Sequence, residues 1–159
     1  MEATFKRILA PVDLSDVSPV MVPFIKSIAK KWDAEVHLLF VVRVLEHFTA
    51  MYVPDISITR LEQEMVQGAE RKMEEFIQQH FKDIPVVKPK VVLGDASEEI
   101  LNHVNREKID LVILGTHGRK GLEKLFFGSV AEKVVKTSPV PVLSINPYRA
   151  RKDQTAAKP

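Results

Sequence analysis

Apolar residues in this chain fall into short unbroken runs separated by stretches where they recur every three to four positions. The first run covers residues 5–12, with Ile8, Leu9, Ala10, Pro11 and Val12 contiguous and Asp13 closing it. Such a run reads as a strand buried on both faces. Beyond it Ser15, Asp16 and Ser18 offer capping oxygens, Pro19 suits a first helical turn, and Phe24, Ile25, Ile28 and Trp32 mark a helical stripe. Pro23 lies past that turn, where it deletes a backbone donor, so a bend or a late helix start is expected.

Residues 35–44 form a second, doubly apolar strand. A longer connection, 45–59, contains Pro54 and Asp55; Leu61, Met65, Ala69, Met73, Phe76, Ile77 and His80 then predict an amphipathic helix over 59–80. Residues 86–93 are strand-like, and Pro89 within them points to a sheet edge. Asp95 followed by Glu98 marks a helix start, with Ile100, Leu101 and Val104 as the apolar face. Residues 110–114 form a fourth buried strand, 115–127 a loop, 129–135 the start of a short helix, and 140–145 a fifth strand bounded by Pro139, Pro141 and Pro147. Alternating strands and helices imply crossover units. The expected architecture is α/β: one open, doubly wound, five-stranded and mostly parallel sheet with helices on both faces, over residues 1–146. Residues 147–159 read as a polar, flexible tail.

Composition narrows the function. The chain has 159 residues, enough for one domain, and its 23 Lys+Arg are nearly matched by 21 Asp+Glu, for a net charge of +2. That balance argues against a nucleic-acid binder working by phosphate neutralisation. Without cysteine there is no disulfide, thiolate nucleophile or Cys-ligated zinc, and the cytoplasm is the expected compartment. No leader-like segment opens the chain. The longest apolar stretch, 36–44, is interrupted by His37 and Arg43 and falls far short of the ~20 residues a membrane helix needs, so no membrane insertion is expected.

In open α/β sheets ligands bind beyond the carboxyl ends of the strands, where strand order reverses. The residues just after the strands are therefore the informative ones: Asp13 after the first, Val41 and Val42 ending the second, and Gly115-Thr116-His117-Gly118-Arg119-Lys120-Gly121 after the fourth, continuing to Gly128-Ser129-Val130. Glycine permits positive φ and close approach of backbone amides to an anion. Gly128 and Ser129 open a helix, whose free N–H groups favour phosphate. Isolated glycine pairs usually make only turns, but a glycine-rich loop between a buried strand and a helix start is a phosphate-binding context. Neither a P-loop nor a dinucleotide fingerprint is present.

At this loop the chain resembles the universal stress protein family, whose ATP-binding members carry Gly-x2-Gly-x9-Gly-Ser/Thr. The matching residues are Gly115, Gly118 and Gly128-Ser129. The resemblance extends over about residues 5–145 and includes Ala10-Pro11-Val12-Asp13, Leu38-Leu39-Phe40-Val41, the Gly94 region and Pro139-Val140-Pro141-Val142. It implies a Rossmann-like sheet of strand order 3-2-1-4-5 and a bound ATP, ADP or AMP, with Mg2+ held mainly through the phosphates. Asp13 and the backbone of Val41 would then contact adenine and ribose, with Pro11 counted beside them, and Leu114 and Gly115 would line the nucleoside. Gly118, Gly128, Ser129 and Val130 would hold the phosphates. The resemblance further implies a homodimer through the last strand, 140–145, which would cover an exposed apolar edge.

Blander readings stand beside these. His117 reads first as a solvent-facing loop residue, Arg119 and Lys120 as solvated cations, and Asp13 as a turn-capping group or a direct Mg2+ ligand. The histidines, read as surface residues, show no metal-ligand pattern. Three functions follow: a non-catalytic ATP-binding regulator of the stress response, a slow ATPase or adenylyl- or phosphoryl-transfer enzyme using the same pocket, and a nucleotide-independent dimeric module that binds an unidentified protein partner.

Overall fold

The computed structural model describes residues 3–43, 55–117 and 128–150. Strands and helices alternate: β1 (Arg7–Pro11), α1 (Ser18–Trp32), β2 (Glu35–Val42), α2 (Asp55–His80), β3 (Val87–Leu93), α3 (Ala96–Arg106), β4 (Leu111–Gly115), α4 (Ser129–Thr137) and β5 (Val142–Ile145). All strand pairs are parallel, in the order β3-β2-β1-β4-β5. Pro89 lies on the edge strand β3, as its missing donor requires, and Pro141 directly precedes the other edge strand, β5.

Successive side chains of a strand point to opposite faces, and the apolar runs thereby build two cores. Ile8, Ala10, Val36, Leu38, Leu111 and Ile113 meet Met21, Val22, Ile25 and Ala29 of α1 and Met73 and Phe76 of α2. Leu9, Leu39, Val112 and Leu114 meet Ile100 and Val104 of α3 and Ala131 and Val134 of α4. Helices therefore cover both faces.

Three local expectations are corrected. Helix α1 does not start late: it begins at Ser18, with Pro19 in its first turn and Pro23 inside it. The donor that Pro23 lacks would face the Pro19 carbonyl, and both residues are exposed, so water can take that acceptor. Nor do the nearby hydroxyls cap the helix; Val17 holds the cap position without a side-chain bond, and Ser15 and Ser18 turn to Asp13 instead. Helix α2 starts at Asp55, a turn earlier than the apolar periodicity marks, since an acidic first-turn residue needs no apolar partner to favour a helix N-terminus.

The histidines differ most from expectation. His37 and His103 are 2% and 3% exposed, not surface residues, and their rings bond across the interface between β2 and α3. At the carboxyl end of the chain, packing continues past residue 146. Asn146 accepts from the amides of Tyr148 and Arg149, a helical turn forms over 147–150, Pro147 is buried, and Ala150 rests on the first core.

Candidate functional site

Strand order reverses between β1 and β4, the two central neighbours from which the chain winds outward in opposite directions. Their carboxyl ends, with that of β2, carry most of the residues singled out from the sequence. Pro11 ends β1 and Asp13 follows two residues on; Val41 lies one residue from the end of β2; Leu114 and Gly115 end β4. Gly128, Ser129 and Val130 begin α4. Gly118 lies outside the described residues, as do Arg119 and Lys120.

Asp13 organises the turn after β1. Its Oδ1 accepts from the Ser15 amide at 3.1 Å, the Ser15 hydroxyl at 2.6 Å and the Ser18 hydroxyl at 2.8 Å. This is the side-chain-to-backbone turn that aspartate forms two residues ahead of itself. Leu14 between them adopts φ 54°, a conformation that costs a non-glycine residue energy and that the turn and the packing of Leu14 on the core hold in place.

The other wall is made where β4 meets α4. The Thr116 amide donates to the Ile145 carbonyl at 2.8 Å, extending the β4–β5 ladder, and the Thr116 carbonyl accepts from the Gly128 amide at 2.8 Å. That second bond pins the start of α4 to the end of β4. Gly115 and Gly128 both sit outside the positive-φ region, with Gly128 at φ −60°, so neither is glycine for backbone freedom. Close approach is the reason. A Cβ on Gly128 would stand 3.2 Å from the Thr116 carbonyl, and one on Gly115 would stand 3.2 Å from the His117 carbonyl and 3.6 Å from Met21 Sδ of α1.

Pinning has a chemical consequence at the helix start. The Gly128 amide is spent on Thr116, so its role is to fix the helix rather than to face a ligand. The first intrahelical bond of α4 runs from the Glu132 amide to the Gly128 carbonyl. Ser129, Val130 and Ala131 therefore have no acceptor within the helix, and among the described residues no side chain caps it. Three amides and the positive end of the helix dipole fit an anionic oxygen cluster such as a phosphate.

His117 is half-buried rather than solvent-facing. Its Nδ1 lies 2.8 Å from the Thr116 hydroxyl, and its ring meets Tyr148 edge-on at 5.7 Å. Tyr148 was not legible as a neighbour of this loop, because the turn that brings it there follows β5. Among the described residues no group of three or more His, Asp or Glu side chains could hold a metal ion.

The fold is an open parallel α/β domain whose strand order reverses between β1 and β4. The chain belongs to the universal stress protein family, which matches residues 4–146. It is similar to universal stress protein MJ0531 of Methanocaldococcus jannaschii, with 34% identity over 91% of this chain and 84% of that one. The solved structure of MJ0577 from the same organism is 29% identical, has a TM-score of 0.79 and covers 91% of this chain and 97% of its own. A universal stress protein from Archaeoglobus fulgidus, solved in complex with dAMP, covers 91% of this chain and 100% of its own with a TM-score of 0.60. At 14% identity that last likeness speaks for the fold alone.

Proposed function

We propose that this chain binds an adenine nucleotide, ATP foremost, at the carboxyl ends of β1, β2 and β4, and serves as a non-catalytic, nucleotide-responsive regulator of the stress response. The observation that carries the reading is the start of α4, pinned by the Gly128–Thr116 bond and capped by no side chain among the described residues, beside the strand-order reversal and within the Gly115, Gly118, Gly128-Ser129 spacing. The amides of Ser129 and Val130 and the Ser129 hydroxyl would hold phosphate oxygens, with Gly118 assigned by the family motif. Asp13, Pro11, the Val41 backbone, Leu114 and Gly115 would border the nucleoside. Mg2+, carried by the phosphates, would neutralise their charge.

Titration calorimetry with MgATP tests this. The wild type binds one nucleotide per chain, while Gly128→Ala, which forces a Cβ against the Thr116 carbonyl, weakens binding by roughly tenfold or more with the circular dichroism spectrum unchanged. No heat and no retained nucleotide at millimolar MgATP would overturn the proposal.

A second reading is slow hydrolysis at the same site, favoured by His117, whose ring is positioned by Thr116 and Tyr148. Phosphate release from the purified chain that is lost in His117→Ala with binding intact would establish it. Self-association through β5 completes the proposal. Leu143 is 37% exposed on that edge strand, and pairing there would cover both it and the free ladder groups. No helix among the described residues is long and apolar enough to cross a membrane.

A further inference from the structure

The buried histidine pair lies at the far end of the sheet from the candidate site, near the amino end of β2 and the carboxyl end of α3. His37 shares its face of β2 with Leu39 and is turned towards α3. Four side chains form a continuous chain there. Arg106 Nη2 lies 3.3 Å from His103 Nδ1, His103 Nε2 lies 3.0 Å from His37 Nδ1, and His37 Nε2 lies 3.0 Å from Glu35 Oε1.

The proton positions follow from what each end can do. A carboxylate only accepts and a guanidinium only donates. His37 therefore carries its proton on Nε2 and accepts at Nδ1; His103 carries its proton on Nε2 and accepts from Arg106 at Nδ1. In this arrangement each ring nitrogen of the pair has a hydrogen-bond partner. A second proton on His103 leaves an N–H on Nδ1 facing the Arg106 guanidinium. Donor then opposes donor at a ring that is itself buried, where an unmatched charge is expensive.

We propose that the Glu35–His37–His103–Arg106 chain is an acid-sensitive latch that holds α3 on the sheet while the His103 imidazole is neutral and releases it when His103 takes up a proton. The surrounding charges set the direction. From β1 comes Arg7, 3.4 Å from Glu35; from β3 come Lys88, 3.0 Å from Glu35, and Lys90; from α3 come Arg106 and Glu107. Cations outnumber carboxylates around the pair, so an added positive charge is repelled on balance. Burial foremost, then the charges of His37 and Arg106, pushes the His103 imidazole down to about 4. The latch stands apart from the nucleotide proposal, since no residue of the candidate site belongs to it.

Hydrogen–deuterium exchange on the full chain, read by mass spectrometry at pH 7 and pH 5 and corrected for intrinsic exchange rates, tests it. Protection of residues 96–106 falls by roughly tenfold or more at pH 5 while that of α1 holds, and His103→Gln abolishes the difference. The glutamine amide offers one donor to His37 and one acceptor to Arg106 without titrating. Arg106→Ala, a change at an exposed position, removes the opposing donor and moves the acid midpoint of wild-type α3 release downward, which a merely structural contact would not do. Equal protection of α3 at both pH values, a loss shared evenly with α1, or a midpoint unmoved by Arg106→Ala overturns the latch.

Discussion

Single carboxylates hold the ends of this fold together. Asp110 Oδ2 accepts from the amides of both Lys6 and Arg7 at 2.8 Å, closing the start of β1 onto the residue before β4. Charge-assisted bonds of this kind outweigh neutral ones, and truncating the acceptor strands two amides. Asp110→Ala should therefore lower unfolding free energy by about 1–3 kcal/mol, read from the midpoint of a urea titration at unchanged slope. A loss within error of zero would mean that water replaces the carboxylate at no cost. At this scale the sequence is a partial guide. The Gly115, Gly118, Gly128-Ser129 spacing was legible because it is a pattern of residue types, but the bond from the Gly128 amide to Thr116 was not, since it depends on how the loop between them folds back. The histidine pair was hidden for the same reason, with 66 residues between its members.

Elements whose signals are local came through most clearly. Asp95 caps α3 as its sequence context predicts, its Oδ1 accepting from the Glu98 amide at 3.0 Å. The Ser97 hydroxyl bond foremost, then the Glu98 amide, holds the Asp95 carboxyl below the usual carboxylate range. Asp95→Ala should cost about 1 kcal/mol in chemical denaturation, and Asp95→Asn less, because the amide oxygen still accepts. Pro89 likewise announced its edge strand, because a missing donor is a property of one residue. The start of α1 was misread for a physical reason. Ser15, Ser18 and Asp13 are all capable of capping, and which of them turns to which is decided by the chain direction leaving β1, not by composition.

Across the whole molecule, unbroken apolar runs mark the two-faced sheet, and two cores account for why the central strands β1, β2 and β4 are largely apolar on both sides. Net stability should carry the signature of the buried His103 imidazole. The unfolded chain binds a proton at His103 with the ordinary value of 6.5, the folded chain only near 4, so acidification favours unfolding between those values. Carboxylates held low, such as Glu35 by its His37 bond foremost and by Lys88, lose their contribution only below their ordinary value of 4.5. Between pH 6.5 and 4.5 the histidine acts alone among these, and unfolding free energy should fall by about 2–3 kcal/mol across that interval. Urea titrations at several pH values read it, and His103→Gln should flatten the slope. The central claim, however, concerns the proposed nucleotide site at the carboxyl edge of the sheet, where the pinned start of α4 meets the reversal of strand order. It is tested most directly by purifying the chain without added nucleotide, denaturing it, and identifying what is released by chromatography and mass spectrometry, followed by titration of the emptied protein with MgATP. The account predicts an adenine nucleotide approaching one per chain, or saturable binding of added MgATP at that stoichiometry; a chain that releases none and binds none at millimolar MgATP would contradict it.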